Sequence, residues 1–228
     1  MQRSPLSRHL RSLPHRMRAY FRGVIDAHSA YGMLPGYRAR HEPQHFDDTA
    51  NTDDWQREVY IFAADLMARE ALASVHDVGC GSGFKLIKYL GQHHTIGFDV
   101  PSTVEHLRTQ YPDREWKSAP FSARDIPPAD MVICSDVIEH VPDPDALLGF
   151  VGGLAKRLMV FSTPERNFLY RPGSKYRYGP PSNPSHVREW SADEFSRYIA
   201  SRFDILHHEI TNAVQGTQMI LCAKRPTT

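Results

Sequence analysis

The chain has 228 residues, 27 Lys and Arg against 26 Asp and Glu, and 41% hydrophobic residues. That length can bury a substantial core, and the absence of any run near the roughly 20 apolar residues of a spanning helix argues against a helical membrane protein. A net charge of +1 gives no global reason to expect DNA as a partner.

In chain order, residues 1–25 come first, carrying Arg3, Arg8, Arg11, Arg16, Arg18 and Arg22 before the first acid, Asp26. Leu6, Leu10, Leu13, Met17, Phe21 and Val24 recur at helical spacing, so this arm reads as a basic amphipathic helix interrupted at Pro14. Four readings stay open for it: peripheral contact with an anionic membrane, docking on a protein, an organelle-targeting peptide, or packing on its own domain. It lacks the apolar stretch of a secretory leader. Cys80, Cys134 and Cys222 are too few and too far apart for a disulfide framework and read as reduced thiols, so the expected location is cytoplasmic.

Residues 26–52 are rich in Gly, Pro, His and Asp and read as irregular. His41, His45, Asp47 and Asp48 resemble metal ligands by type. Pro43 keeps the histidines off one regular helical face, and no CxxC or HExxH accompanies them, so no metal is expected. The expected organisation is an N-terminal extension over 1–52 and a catalytic domain over 53–228, with a lid-like insertion at 164–190.

From residue 53 the pattern sharpens. Trp55, Val59, Phe62, Leu66 and Ala73 follow helical spacing, predicting a helix over 54–73. Strands are predicted at 75–79, 95–99, 130–135 and 157–162, with a weaker one at 115–118. Helices are predicted at 83–91, 101–110 and 143–155. This alternation implies a doubly wound α/β fold with a mostly parallel sheet and helices on both faces. Two late runs, 203–210 and 218–223, lack a helix between them and read as an antiparallel hairpin at the sheet edge.

Three motifs carry the chemistry. Val75-His76-Asp77-Val78-Gly79-Cys80-Gly81-Ser82-Gly83 closes a strand and opens a helix. Its glycines let the backbone turn tightly and approach a ligand, with amides of the following helix facing it. The spacing is G-x-G-x-G, and Phe84 stands where a dinucleotide fingerprint needs its third glycine. Asp77 would repel a pyrophosphate but accept from an ammonium group, which favours a nucleoside with a cationic amino-acid tail over NAD. Asp99 then ends the next strand, where an acid accepts from ribose hydroxyls. The third motif, Cys134-Ser135-Asp136-Val137-Ile138-Glu139-His140-Val141-Pro142-Asp143-Pro144, leaves the carboxyl end of a buried strand, where ligands bind in such sheets.

DVGCGSG, the aspartate of GFDV and CSDVIEHVPDP together resemble class I S-adenosylmethionine-dependent methyltransferases, in particular the small-molecule branch that includes ubiquinone-biosynthesis O-methyltransferases. The likeness covers roughly 54–165. It implies a seven-stranded Rossmann-like sheet with an antiparallel last strand, and S-adenosylmethionine as cofactor. Asp77 and the backbone at Gly79 and Gly81 would hold the methionine part, Asp99 the ribose, and Val100 the adenine, with Cys80, Gly83 and Ser135 as further cofactor-binding residues. The acid that often meets the adenine amino group is missing from Trp116-Lys117-Ser118-Ala119-Pro120-Phe121. Ala119 and Phe121 would have to serve there through backbone and ring.

Methyl transfer from a sulfonium gains most from holding the acceptor near the methyl, and a hydroxyl acceptor also benefits from a base. Asp136, His140 and His186 are the candidate catalytic residues. Glu139 reads as structural. Arg188, Trp190 and Tyr60 are candidate acceptor contacts, with Trp190 as a helix staple as the competing reading. The GPPSNPSHVREW segment is similar to methyltransferases of surface-polysaccharide synthesis, which implies a small-molecule or glycan acceptor. The rival function is a non-catalytic cofactor-binding subunit of a biosynthetic complex.

Overall fold

The computed structural model describes residues 14, 15, 17, 30–118, 120, 121, 123 and 125–226. The basic arm expected over 1–25 therefore lies almost wholly outside the described residues, as does Ala119. Among the described residues, no helix is long and apolar enough to cross a membrane.

Seven strands form one sheet: β1 (Ser74–Val78), β2 (His94–Phe98), β3 (Glu115–Lys117), β4 (Ala129–Ser135), β5 (Ala155–Pro164), β6 (Phe203–Asn212) and β7 (Thr217–Lys224). Their order is β3-β2-β1-β4-β5-β7-β6. β1 to β5 are mutually parallel, while β7 runs antiparallel to both β5 and β6. The late hairpin is thus present, with β7 inserted beside β5 and β6 left at the edge. The strand order reverses between β1 and β4, which opens a crevice at their carboxyl ends.

The helices are α1 (Arg57–Arg69), α2 (Phe84–Leu90), α3 (Pro101–Gln110), α4 (Pro144–Leu154), α5 (Arg166–Leu169) and α6 (Ala192–Ala200). On α1, Val59, Tyr60, Ala63, Leu66 and Met67 are buried at helical spacing. They pack with Leu86, Leu90, Val104 and Leu107 of α2 and α3 on one face of the sheet. The opposite face packs Leu147, Leu148 and Val151 of α4 against Phe195 and Ile199 of α6. Central strands carry near-continuous apolar runs because both their faces are covered.

Local signals set the helix ends. Asp143 caps α4 by accepting from the Asp145 and Ala146 amides at 3.1 and 3.2 Å. Ser191 and Glu194 form a reciprocal capping box on α6. α1 is shorter than its predicted 54–73: Gln56 at φ 62 precedes it, and Ala71 at φ 50 reverses the chain after it. Ala73 and Ser74 then donate their amides to Asp130 Oδ2, both at 3.0 Å, which pins the entry to β1.

Residues 30–56 pack on the domain rather than forming a separate extension. Tyr31 O accepts from Trp190 Nε1 at 2.9 Å, and the Leu34 amide donates to Glu194 Oε1 at 2.7 Å. Further along, Asn51 O accepts from Ser82 Oγ, and Thr52 O accepts from Lys85 Nζ at 3.0 Å.

Candidate cofactor and acceptor site

A cavity of about 1250 Å³ opens at the carboxyl ends of β1, β2 and β4. Its wall includes Gly79, Asp99, Val100, Ser118, Phe121, Ser135 and Asp136, then His140 and His186. The segment 43–56 contributes Pro43, His45, Phe46, Asp48, Trp55 and Gln56 to the same wall.

The loop after β1 is shaped by its glycines. Gly79 sits at φ 77, and a Cβ there would meet Val137 Cγ2 at 2.2 Å. Its amide and that of Cys80 donate to Phe98 O at 2.8 and 3.2 Å. Gly81 donates its amide to Asp99 Oδ2 at 2.9 Å, and a Cβ on it would strike Asp48 Oδ2 at 2.3 Å. Only residues without a Cβ allow the loop to lie between Val137 and Asp48.

Three carboxylates crowd this end of the cavity. Asp77 is fully buried beneath the loop, with Oδ2 accepting from Tyr60 Oη at 2.8 Å. Its Oδ1 has no hydrogen-bond partner. Burial pushes its carboxyl up to about 7, against the pull of the Tyr60 hydroxyl and the Lys85 ammonium, with the charges of Asp99 and Asp48 adding to the rise. Asp48 is pushed up to about 6 by burial and then by Asp99, and burial likewise raises Asp99. Buried carboxylates that repel one another favour a cationic ligand and disfavour a pyrophosphate. A sulfonium with an ammonium tail fits this end, and the unpartnered Asp77 Oδ1 is an acceptor in want of a donor.

Beyond Asp136 lies a second group. Asp136 takes φ 52, a left-handed conformation uncommon outside glycine. It accepts from Ser162 Oγ through Oδ1 at 2.6 Å, and burial raises its carboxyl. Glu139 is 1% exposed, accepts from Thr163 Oγ1 through Oε2 at 3.0 Å, and turns Oε1 toward His140 Nε2 at 4.0 Å. Burial pushes Glu139 well up, with Asp136 adding to it, and pushes His140 down to about 4, with His186 adding to that. His140 Nδ1 faces Ser185 O at 3.0 Å, His186 Nδ1 faces Glu189 Oε1 at 2.6 Å, and the two rings meet edge to face. Three catalytic candidates 50 residues apart in sequence are thus brought to one wall, and Glu139 joins them.

Other sequence candidates go elsewhere. Trp190 is fully buried against Phe195 and Tyr198, as the staple reading has it, and it is not on the cavity wall. Arg188 donates to Val141 O and Pro142 O at 3.0 and 2.8 Å and lies over the Tyr31 ring, so its guanidinium braces the chain behind His140. Tyr60 reaches Asp77 rather than the cavity. Cys80 is buried, and its thiol is pushed well up by that burial, so it offers packing rather than contact. Gly83 begins α2 at φ 69 and makes room for the Trp116 ring, 2.7 Å from a would-be Cβ. These side chains are apolar or paired, and the folded core satisfies them before a ligand can.

His45, Phe46, Asp48 and Gln56 were not expected in the site. The first and third stood out only as metal ligands by residue type. The structure sends Asp48 to the loop glycines instead, while Asp47 binds Thr49. No periodicity in residues 43–56 marks their position, because the segment is irregular and is held by backbone contacts.

A methyltransferase-domain family model matches residues 49–203, more than half of the chain. The chain belongs to this methyltransferase family. It is 31% identical over 152 residues to a probable S-adenosylmethionine-dependent methyltransferase of Mycobacterium tuberculosis, covering 64% of this chain and 53% of that protein. It is 27% identical over 142 residues to a ubiquinone biosynthesis O-methyltransferase of Coxiella burnetii, covering 51% of this chain and 60% of the relative. The chain therefore spans little more than half the length of these curated relatives. Among solved structures, magnesium protoporphyrin IX methyltransferase of Synechocystis with bound S-adenosylmethionine superposes at a TM-score of 0.56. That match has 14% identity and covers 94% of this chain and 99% of that one. N-methyltransferase NodS of Bradyrhizobium japonicum gives 0.56 at 12% identity, over 78% and 95% of the two chains. Both share the fold. S-adenosylmethionine is the cofactor of this methyltransferase domain.

Proposed function

We propose that this chain methylates a hydroxyl group on a small-molecule or glycan acceptor. The observation that carries the reading is the wall of Asp136, Glu139, His140 and His186 in the same cavity as the cofactor loop. The printed function of the Coxiella relative, an O-methyltransferase, points the same way.

When bound, the cofactor supplies an electrophilic methyl on a positively charged sulfur. The chain's own residues do the rest. The glycine loop, shaped by its internal amide bonds, and Asp99 would hold the nucleoside, while Asp77 and Asp48 would offset the positive charge. The segment 43–56, with Phe46 and Trp55, narrows access and leaves an apolar surface for the acceptor's body. An acceptor oxygen held in line with that methyl would form the new carbon–oxygen bond as sulfur leaves with the electron pair of the old carbon–sulfur bond. The hydroxyl proton would pass to Asp136 or His140 on the cavity wall. Holding acceptor and methyl in line supplies most of the acceleration, and the proton acceptor contributes about 10²–10⁴-fold.

The test is release of S-adenosylhomocysteine during incubation with labelled S-adenosylmethionine and a panel of phenols, sugars and lipid-linked sugars. Turnover on a hydroxyl acceptor is expected, and Asp136→Asn should lower kcat about 10²–10⁴-fold with cofactor affinity kept. Methylation of amines alone, or equal turnover by Asp136→Asn, would contradict the reading.

A further inference from the structure

We infer that Glu139, His140 and His186 form a binding site for one first-row divalent cation in the acceptor end of the cavity. Each of the three offers a ligand atom, and these atoms lie within 4.8 Å of one another. Two imidazole nitrogens and one carboxylate oxygen on one side of an ion leave positions open for other ligands, a set that suits manganese, iron, cobalt or zinc.

The surroundings of the three residues are those of metal ligands. A ligating histidine donates its second ring N–H to a carbonyl or carboxylate, which fixes the tautomer and turns the free lone pair to the ion. Both histidines are arranged so: His140 Nδ1 faces Ser185 O at 3.0 Å and His186 Nδ1 faces Glu189 Oε1 at 2.6 Å. That turns both Nε2 atoms toward the ion, although His186 Nε2 meets the Asn183 amide at 2.9 Å. Glu139 follows the same logic, since Thr163 holds Oε2 while Oε1 points at His140 Nε2 from 4.0 Å, beyond hydrogen-bond reach. Glu139 is 1% exposed and lies near two further carboxylates, Asp136 and Glu189. Burying a carboxylate beside another is costly without a cation. The left-handed backbone at Asp136 is a further mark of a constrained functional loop.

Ligand atoms around an ion with bonds near about 2.1 Å stand about 3 Å apart when adjacent, so separations of up to 4.8 Å must close by about 1–2 Å. His186 must also release Asn183, whose Nδ2 donates to His186 Nε2 at 2.9 Å. Asn183 thus competes with the ion for that lone pair.

The role of the ion rests on the proposed O-methylation. An acceptor hydroxyl taking an open position loses its proton more readily. With both imidazoles engaged, that proton goes to Asp136. The oxygen then attacks the methyl carbon as the carbon–sulfur bond breaks.

The test is titration of the full chain with Mn²⁺ at pH 7.5, followed by calorimetry and by electron paramagnetic resonance, with S-adenosylmethionine affinity measured on the same samples. One Mn²⁺ should bind per chain, with nitrogen couplings from two imidazoles. His140→Ala and Glu139→Gln should each weaken it at least tenfold while cofactor affinity stays within about twofold. Asn183→Ala should tighten it several-fold, an outcome that a merely structural cluster would not give. No Mn²⁺ binding by protein that still binds cofactor overturns this site and leaves the methyltransferase reading intact. Mn²⁺ binding that is indifferent to all three substitutions overturns it equally. Metal binding without turnover on any hydroxyl would instead remove the proposed function and keep the site.

Discussion

The two ends of the sheet treat their carboxylates in opposite ways. At the amino ends of the strands, Asp130 accepts from the Ala73 and Ser74 amides and the Ser74 hydroxyl through Oδ2, while Lys156 Nζ meets Oδ1 at 2.9 Å. Lys156 and these donors hold its carboxyl well below the usual range. At the carboxyl ends, Asp48, Asp77 and Asp99 are buried near one another and raised. The first arrangement stabilises the fold and leaves nothing for a ligand. The second costs stability in the free protein and is relieved by a cationic ligand, as expected of a functional site.

The largest way to break the contrast is at the loop itself. Gly79→Ala places a Cβ at φ 77 and 2.2 Å from Val137 Cγ2, so the loop must shift. S-adenosylmethionine binding should weaken by about 100-fold, roughly 2.7 kcal/mol, in protein whose circular dichroism is unchanged. Wild-type affinity would show that the loop does not hold the cofactor.

Acid tests the carboxyl end directly. Asp48 at about 6 and Asp77 at about 7 must be ionised to offset the cofactor's charge, so affinity should fall about tenfold or more from pH 8 to 5.5. Near pH 6.5 binding should release protons, which calorimetry in buffers of differing ionisation heat will detect. Binding without proton release would remove the electrostatic account.

The free protein should show the reverse side of the same shifts. A carboxyl raised in the folded state contributes stability below its unfolded value of about 4, and that contribution is lost as pH rises through its folded value, here about 6 to 7. Asp77→Asn should therefore raise the Tm of the free protein at pH 8 by about 2–4 °C while weakening the cofactor. A lower Tm would mean that Asp77 is structural.

Asp130→Ala, at the other end, should cost about 1–2 kcal/mol of stability and leave cofactor affinity unchanged, as read by thermal melts with and without ligand. Because Asp130 is lowered in the folded state, its contribution is present at neutral pH and fades as pH falls below about 4.

Much of the cofactor end was legible in the sequence. Gly79, Gly81 and Asp99 announce themselves because backbone geometry and strand ends impose a residue type at a fixed spacing. The α/β alternation and the late hairpin were readable for the same reason. The cover of the site was not. Asp48, Phe46 and Gln56 belong to an irregular segment positioned by contacts such as Thr52 O with Lys85, and irregular chain has no period to read. Trp190 and Arg188 misled as acceptor contacts because residue type alone does not say whether a side chain faces a cavity or a carbonyl. His186 does reach the cavity wall, but its pairing with Glu189 and its place against His140 depend on how the 164–190 segment folds back.

The most direct test of the account is calorimetric titration of the purified chain at pH 8 with S-adenosylmethionine and with NAD, repeated on Asp99→Ala. S-adenosylmethionine should bind at one site and NAD should not. The substitution removes the acceptor of the Gly81 and Val100 amides and should weaken binding about 10- to 100-fold, roughly 1.5–3 kcal/mol. Binding of NAD, or S-adenosylmethionine binding indifferent to Asp99, would contradict the account.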